Sequence, residues 1–270
     1  MKLETKELAR RIRKHAVEMT HASHASHIGS VLSIADIVAV LYNDILHYDV
    51  SAPKWEERDR LVLSKGHAGI AIYAVLAECG FFSVSELDDY YQDGSPYSGH
   101  VSHKGVPGVE ISTGSLGHGA AIACGMALGG KAKKKDFHVY VIVGDGECEE
   151  GVIWETAMIA SQQHLDNFTI IVDANKMQGM GDCKDATALY PLTEKWESFG
   201  FHTINVDDGN DVEQLQKAFK NHVPGKPRCV IANTVKGKGI SFMENDILWH
   251  FRDPQGEQYE QAVRELEALR

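Results

Sequence analysis

The 270-residue sequence lacks the features of several protein classes. No apolar run approaches the roughly 20 residues of a membrane-spanning helix, and the first residues alternate charged and apolar side chains, unlike a secretory signal. Basic residues are outnumbered, with 27 lysines and arginines against 38 aspartates and glutamates, which gives a net charge of −11. We therefore expect a cytoplasmic protein with neither nucleic acid nor a membrane as its main partner.

Cysteine and linker sequence are also sparse. The five cysteines are odd in number and include no C-x-x-C pair, which argues against a disulfide framework and against a thiolate zinc site. No Pro/Ser-rich or low-complexity stretch divides the chain, so we expect residues 1–270 to form a single domain. With 43% hydrophobic residues, this domain has enough apolar side chains for a full core.

Two kinds of segment alternate along the chain. Val- and Ile-rich runs bounded by turn residues predict buried strands at residues 60–63, 137–143, 168–172, 201–206 and 228–233. Apolar residues at helical spacing predict helices at 3–18, 34–46, 67–79, 117–129, 150–164, 212–220 and 258–270, with a loop at 27–30. This order predicts an α/β fold, a parallel sheet flanked by helices that binds ligands beyond the carboxyl ends of its strands.

Two of the predicted strands end in hard oxygen ligands. Gly144-Asp145-Gly146 follows one strand, and Asn175 follows the next, 30 residues after Asp145, which is the length of one βαβ unit. Oxygens of this kind select Mg²⁺ or Ca²⁺ over zinc, and Mg²⁺ completes its coordination with water, carbonyl and phosphate oxygens. A Gly-Asp-Gly turn alone is more often only a turn. Together with Asn175, it predicts a metal-bound diphosphate.

This pair resembles the thiamine diphosphate motif, and three further segments narrow the resemblance to one family. Ser64-Lys65-Gly66-His67, Gly99-His100 and the run GVEISTGSLG at residues 108–117 are similar to the amino-terminal half of transketolase. The similarity extends over nearly all of the 270 residues. It implies the thiamine diphosphate-binding fold, in the form of the domain that holds the diphosphate.

The resemblance also implies how the chain would hold its cofactors, thiamine diphosphate and Mg²⁺ or Ca²⁺. Asp145, Asn175 and the main-chain carbonyl of Met177 match the metal ligands of the family. Further residues match contacts to thiamine diphosphate, among them Asn175 itself; the others are Gly146, His67 and His250 near the diphosphate, and Gly114 and Leu116 near the rings.

Histidines and glutamates complete the implied site. The histidines that match catalytic positions of the family are His27, His67, His100 and His250. Imidazoles suit a reaction that removes a proton from a sugar hydroxyl and stabilises an alkoxide. For any other one of the 14 histidines, a structural or solvated role is expected. Glu150 and Glu155 match acidic positions at the interface between chains in the family.

Three segments differ from the family pattern or are weaker signals. Ser26-His27-Ile28-Gly29 stands where the family has Gly-His-Pro-Gly, and Phe251 replaces the glycine that usually follows the last histidine. Lys236-Gly237-Lys238-Gly239 lacks the spacing of a phosphate-binding loop. We interpret it as a flexible, basic rim of the active site.

The resemblance implies a transketolase reaction, in which a two-carbon ketol unit passes from a ketose phosphate to an aldose phosphate. The glutamate that activates the cofactor lies in a second, pyrimidine-binding domain of the family, and we find no such domain before Arg270. We therefore expect a split enzyme, active only with a carboxyl-terminal partner subunit, in which two copies of each chain form a heterotetramer.

Several alternatives remain open at this point. The α subunit of a 2-oxo acid dehydrogenase is also built on a Gly-Asp-Gly to Asn unit, but Ser64-Lys65-Gly66-His67 and Lys236-Gly237-Lys238-Gly239 favour transketolase. A synthase of the deoxyxylulose phosphate type shares more of the motifs and normally carries both domains on one chain. The remaining alternatives are a transketolase for an unusual pentose phosphate and a non-catalytic homologue.

Overall fold

A parallel sheet forms the centre of the computed structural model, which describes residues 3–269. The strands are β1 (Arg60–Leu63), β2 (Val139–Gly144), β3 (Phe168–Asp173), β4 (Met177–Gln178), β5 (Gly181–Asp182), β6 (His202–Val206) and β7 (Arg228–Ala232). Five of them form the parallel sheet in the order β1-β2-β3-β7-β6, while β4 and β5 form a short antiparallel hairpin. The parallel sheet confirms the predicted fold class.

The register of the three central strands aligns their carboxyl ends. Gly144 at the end of β2 pairs with Asp173 at the end of β3, and Asp173 pairs with Ala232 at the end of β7. The residues that follow these strands therefore leave the sheet side by side. This edge is where an open α/β sheet binds ligands.

Helices cover both faces of the sheet. They are α1 (Thr5–Ser23), α2 (Ile28–Ser33), α3 (Ala35–Val40), α4 (Gly69–Glu78), α5 (His118–Ala132), α6 (Gly151–Gln162), α7 (Cys183–Ala186), α8 (Leu192–Ser198), α9 (Val212–Lys220) and α10 (Glu257–Ala268). In the described part of the chain, none of these helices is long and apolar enough to cross a membrane.

The strands are apolar at successive positions because each face packs against a different core. Leu61 and Leu63 of β1 lie in one core cluster, whereas Val62 between them lies in the other. In β3, Ile171 and Val172 divide in the same way. Successive side chains of a strand point to opposite faces, so a strand covered on both sides needs a continuous apolar run.

Most predicted elements are confirmed to within a few residues, and the loop predicted at 27–30 is wrong. Ile28–Ser33 is a helix whose residues are all buried, and His27 precedes it with a left-handed backbone (φ 76°). The sequence signal was missed because a six-residue buried helix has no polar face to reveal its period. Of the helix predicted at 258–270, Arg270 lies outside the described residues.

Candidate functional site

A cavity of about 270 Å³ lies beyond the carboxyl ends of β1, β2, β3 and β7. It brings together every residue that the sequence assigned to the metal, the cofactor or catalysis: His27, His67, His100, Gly114, Leu116, Asp145, Gly146, Asn175, Met177 and His250. These residues come from loops that are far apart in the chain. The parallel register therefore builds the candidate site.

The two predicted metal ligands are buried at the edge of the sheet. Asp145 is 1% exposed and Asn175 is 5% exposed. Burial, and then the neighbouring Asp173 carboxylate, raise the pKa of Asp145. Asn175 donates from Nδ2 to Oδ2 of Asp173 (2.8 Å), and its Oδ1 accepts from the backbone N–H of Met177 (3.1 Å). The amide is thus held in one orientation.

Four imidazoles meet in the same cavity. The ring of His27 lies 4.8 Å from that of His250, 5.2 Å from that of His67 and 5.8 Å from that of His100, measured between centroids. The backbone N–H of His27 also donates to the carbonyl of His250 (3.0 Å). The start of α2 and the turn that ends at residue 250 are therefore joined.

Burial and positive neighbours keep three of these rings neutral. Burial lowers the pKa of His27 to about 4, with further contributions from His100 and two lysines. It lowers the pKa of His250 to about 3 and that of His67 well below its ordinary value. Neutral imidazoles can accept protons from a bound substrate.

Lys236 is a site residue that the sequence analysis placed wrongly. Instead of lying on a flexible rim, it is 1% exposed and lines the cavity. Its ammonium donates to Oγ of Ser30 (3.4 Å) and to Nδ1 of His250 (3.3 Å), both uncharged. Burial, and then Lys65, lower its pKa to about 8. A buried cation with only long contacts to neutral groups is suited to bind an anion.

The segment around Lys236 is fixed rather than flexible. Gly237 donates from its backbone N–H to the carbonyl of Gly29 (3.0 Å) in α2. It has φ 80°, and a Cβ there would lie 2.2 Å from the carbonyl oxygen of Met243. Only Lys238 of the two lysines fits the predicted rim, with its ammonium 3.9 Å from Glu244. A lysine preceding a left-handed glycine, directly after a strand, was the available signal.

A buried ion pair lies beneath the cavity. Lys65 donates from Nζ to Oδ2 of Asp173 (2.5 Å), and both side chains are almost completely buried. Ser33 and Thr234 donate their hydroxyls to the same carboxylate. Although burial opposes ionisation, Lys65 and these hydroxyls hold the pKa of Asp173 below its ordinary value. This pair supports Asn175 from below.

Glu147 is a second residue that the sequence analysis missed. Its Oε1 accepts from Oγ of Ser64 (2.5 Å) and from the N–H of Gly117 (2.7 Å), and its Oε2 accepts from the N–H of Gly144 (3.0 Å). Burial raises its pKa, although the Ser64 hydroxyl opposes this change. One carboxylate thus joins the loops after β1 and β2 to the start of α5.

Close packing explains the glycine of the Ser64-Lys65-Gly66-His67 segment. A Cβ on Gly66 would lie 2.4 Å from the carbonyl oxygen of Thr113, which is closer than any side chain tolerates. Thr113 in turn donates its hydroxyl to the carbonyl of Leu63 (2.5 Å). The contact holds the segment that carries Gly114 beside the loop after β1.

Glu150 and Glu155 lie outside the cavity. Glu150 precedes the first residue of α6 and Glu155 lies within it, and both are exposed. Exposed apolar side chains lie on the same helix and on the neighbouring α5: Ile122, Leu128, Met158 and Ile159. An apolar exposed face of this kind is typical of a protein interface.

The donor set of the cavity fits a small oxygen-binding cation together with an anion. Within residues 3–269, there is no group of three or more His, Cys, Asp or Glu side chains that could hold a metal by itself. Asp145 and Asn175 supply two oxygens, and Mg²⁺ typically takes its remaining ligands from water, carbonyls and phosphate. Lys236 and the glycines at residues 144 and 146 leave room and positive charge for that phosphate.

The chain is similar to proteins of one family over almost its whole length. Residues 4–263 match the family model described as "Transketolase, thiamine diphosphate binding domain". One of the two chains named for an apulose-4-phosphate transketolase, from Phocaeicola vulgatus, is 40% identical over 98% of this chain and 95% of its own length. A 6-deoxy-6-sulfo-D-fructose transketolase chain from a Clostridium species is 40% identical over 87% of this chain and 86% of its own length.

Solved structures of longer proteins show the same similarity. The transketolase of Campylobacter jejuni superposes with a TM-score of 0.90 at 31% identity, over 99% of this chain and 43% of that one. Human transketolase is 38% identical over 97% of this chain and 42% of its own length. The chain thus spans less than half of these full-length relatives.

Proposed function

We propose, because this chain belongs to the transketolase family and carries its thiamine diphosphate-binding domain, that it is the amino-terminal subunit of a two-chain transketolase. The enzyme would transfer a two-carbon ketol unit from a ketose phosphate to an aldose phosphate. The observation that carries the proposal is the cavity in which Asp145 and Asn175 lie beside Lys236 and a cluster of histidines. This arrangement favours the expected transketolase over the dehydrogenase and the non-catalytic homologue.

Each part of the cofactor has candidate partners in the cavity. Asp145, Asn175 and the carbonyl of Met177 would hold Mg²⁺ or Ca²⁺. The diphosphate would lie against Gly146, Lys236, His67 and His250, and the rings against Gly114 and Leu116. Thiamine diphosphate supplies carbanion stabilisation when bound. The protein has to bind, orient and move protons.

Proton transfer falls to the histidines at the cavity. His27 and His100 would face the reacting carbons of the sugar, as the resemblance implies. In the free chain His27 is neutral at pH 7, since burial and positive neighbours lower its pKa to about 4. The charge of a diphosphate would offset the nearby lysines and bring the pKa of His27 closer to neutrality, where a general base works best.

The partner would be a carboxyl-terminal transketolase subunit, and two copies of each chain would form the heterotetramer. Similar relatives of about this length are named as single subunits of a transketolase, which supports a separate partner. The exposed apolar face of α5 and α6, with side chains that are 37% to 55% exposed, supports a further contact between chains. Glu150 and Glu155 border this face and are proposed to lie at the interface.

A transketolase for an unusual sugar phosphate is the second candidate. Two similar relatives are named for apulose 4-phosphate and for 6-deoxy-6-sulfo-D-fructose. These names favour a substrate outside the common ketose phosphates. The two candidates share the cofactor site and differ only in the sugar.

Co-expression with the neighbouring carboxyl-terminal chain tests the proposal. The complex and the isolated chain are assayed for ketol transfer with a panel of ketose phosphates, including sulfonated and branched ketoses. Transfer by the complex alone is expected. Transfer by the isolated chain would contradict the split site, and no transfer with any donor would contradict the proposed activity. Asp145→Ala is expected to abolish metal-dependent binding of thiamine diphosphate, measured by calorimetry, because one of few protein ligands is lost.

A further inference from the structure

Tyr190 contacts the candidate metal site from a distant part of the chain. Its hydroxyl donates a hydrogen bond of 3.0 Å to Oδ2 of Asp145, 45 residues earlier in the sequence. Its ring packs against the core cluster between the sheet and the helices α5, α6 and α8. Tyr190 lies outside every segment on which the similarity to transketolase was based. A specific contact to the predicted metal ligand at this position therefore needs its own explanation.

The Asp145 carboxylate is held by three oriented donors. Besides Tyr190, the backbone N–H of Lys176 donates to Oδ2 (2.6 Å) and that of Gly146 donates to Oδ1 (2.9 Å). The thiol of Cys183 also lies against it, and burial and this carboxylate raise the pKa of the thiol to about 12. A carboxylate has about four acceptor positions, so few remain for a cation. Rotation of the carboxylate would break all three hydrogen bonds.

The three donors differ in what they are attached to. Gly146 and Lys176 belong to the loops that themselves carry the metal ligands, so their N–H groups move with those loops. Tyr190 is anchored by its ring in the core. Its hydroxyl is therefore the donor that fixes the carboxylate relative to the rest of the domain.

We propose that Tyr190 is a positioning residue of the metal site, whose hydroxyl holds Asp145 in the orientation that binds a divalent cation. The proposal rests on the proposed function, which places the cation at Asp145 and Asn175. Partners of ligating side chains contribute to affinity, and their loss typically costs about 10- to 100-fold. A neutral hydroxyl that is one of three donors should lie at the lower end of that range.

The test is Tyr190→Phe in the full chain purified with its carboxyl-terminal partner. Mn²⁺ is titrated in the presence of thiamine diphosphate, and free Mn²⁺ is counted by electron paramagnetic resonance. The Kd for Mn²⁺ is expected to rise about tenfold. In turnover, the apparent KM for Mg²⁺ should rise with kcat unchanged at saturating Mg²⁺, because phenylalanine keeps the ring and its packing.

The matched control is Tyr97→Phe, which removes another tyrosine hydroxyl bonded to a carboxylate, that of Glu86 (2.8 Å). Both variants should lose a similar, small amount of melting temperature, but only Tyr190→Phe should weaken Mn²⁺ binding. An unchanged Kd in Tyr190→Phe, or an equal loss in both variants, would overturn the role of Tyr190. If the unaltered complex binds no Mn²⁺, the proposed function fails as well.

Discussion

The ammonium of Lys236 and Nδ1 of His250 lie 3.3 Å apart inside the cavity. Since an ammonium can only donate, Nδ1 accepts and the proton of this neutral imidazole is on Nε2. Both groups are less basic than usual, mainly because burial disfavours their charged forms; the pKa of Lys236 is lowered to about 8 and that of His250 to about 3. A bound anion would reverse this effect.

Lys236→Met is accordingly expected to weaken the binding of thiamine diphosphate by about 10- to 100-fold, the equivalent of a charge-assisted hydrogen bond worth roughly 1.5–3 kcal/mol. Calorimetry on the two-chain complex at fixed Mg²⁺ measures this loss. Lys238→Met is the matched control, because Lys238 is two residues away and its ammonium lies 3.9 Å from Glu244. Equal effects of the two variants would show that general charge, rather than the buried ammonium, matters.

The histidines predict how stability depends on pH. The pKa of His27 is about 4 in the folded chain, below the ordinary 6.5, so between these values the unfolded chain binds a proton that the folded chain does not. The free energy of unfolding should therefore decrease as the pH falls from 6.5 to 4. His27→Gln should make this decrease less steep, as measured by urea unfolding at a series of pH values.

His15 provides a control of opposite sign. Although burial opposes its charge, hydrogen bonds to Glu18 and Glu78 raise its pKa from 6.5 to about 9. Its contribution to stability is fully present below pH 6.5 and is lost as the pH rises through 9. His15→Gln should thus alter the profile only on the alkaline side. A change on the acidic side in both variants would contradict the assignment to His27.

The buried ion pair beneath the cavity predicts a large loss of stability. Lys65→Met would leave the Asp173 carboxylate buried without its cation, which typically costs about 3–5 kcal/mol. Lys131→Met, which removes an exposed ammonium 3.9 Å from Asp166, should cost less than about 1 kcal/mol. Urea unfolding of the apo chain compares the two. Similar small losses would mean that water reaches Asp173.

Glu147 predicts a coupled loss of stability and binding. In Glu147→Gln, an amide NH₂ replaces an acceptor that faces an N–H or O–H donor, so at least one of the three hydrogen bonds is lost, at a cost of about 1–3 kcal/mol. The loops after β1 and β2 should then loosen, and thiamine diphosphate should bind more weakly. Urea unfolding and calorimetry measure the two losses. Glu197→Gln on the exposed face of α8 should leave both quantities unchanged.

The sequence predicted the sheet and most site residues, for a physical reason. Continuous apolar runs such as Val139–Gly144 are required by burial on both faces, and the residues after such runs must lie at one edge. Asp145 and Asn175 could therefore be paired from their spacing alone. The histidines, in contrast, required the resemblance, because nothing local distinguishes His27 from a solvated histidine.

Residues that depend on contacts distant in sequence could not be predicted. Tyr190 follows no strand and belongs to no motif, and its role depends on a hydroxyl reaching across to Asp145. Lys236 resembled an exposed lysine because its neighbours are glycines and another lysine. The helix α8 was missed although Leu192, Trp196 and Phe199 are spaced helically, since the apolar pattern is too short to stand out.

The pairing of Gly144 with Asp173 also limits how this site can vary. A slip of one residue between β2 and β3 would turn every side chain of one strand to the opposite face and would shift the two ligand loops by roughly 3.3 Å. An octahedral ion with ligands near about 2.1 Å does not tolerate such a shift. Insertions and deletions are therefore expected in the loops, where they can reshape the cavity for a different sugar without moving Asp145 and Asn175 apart.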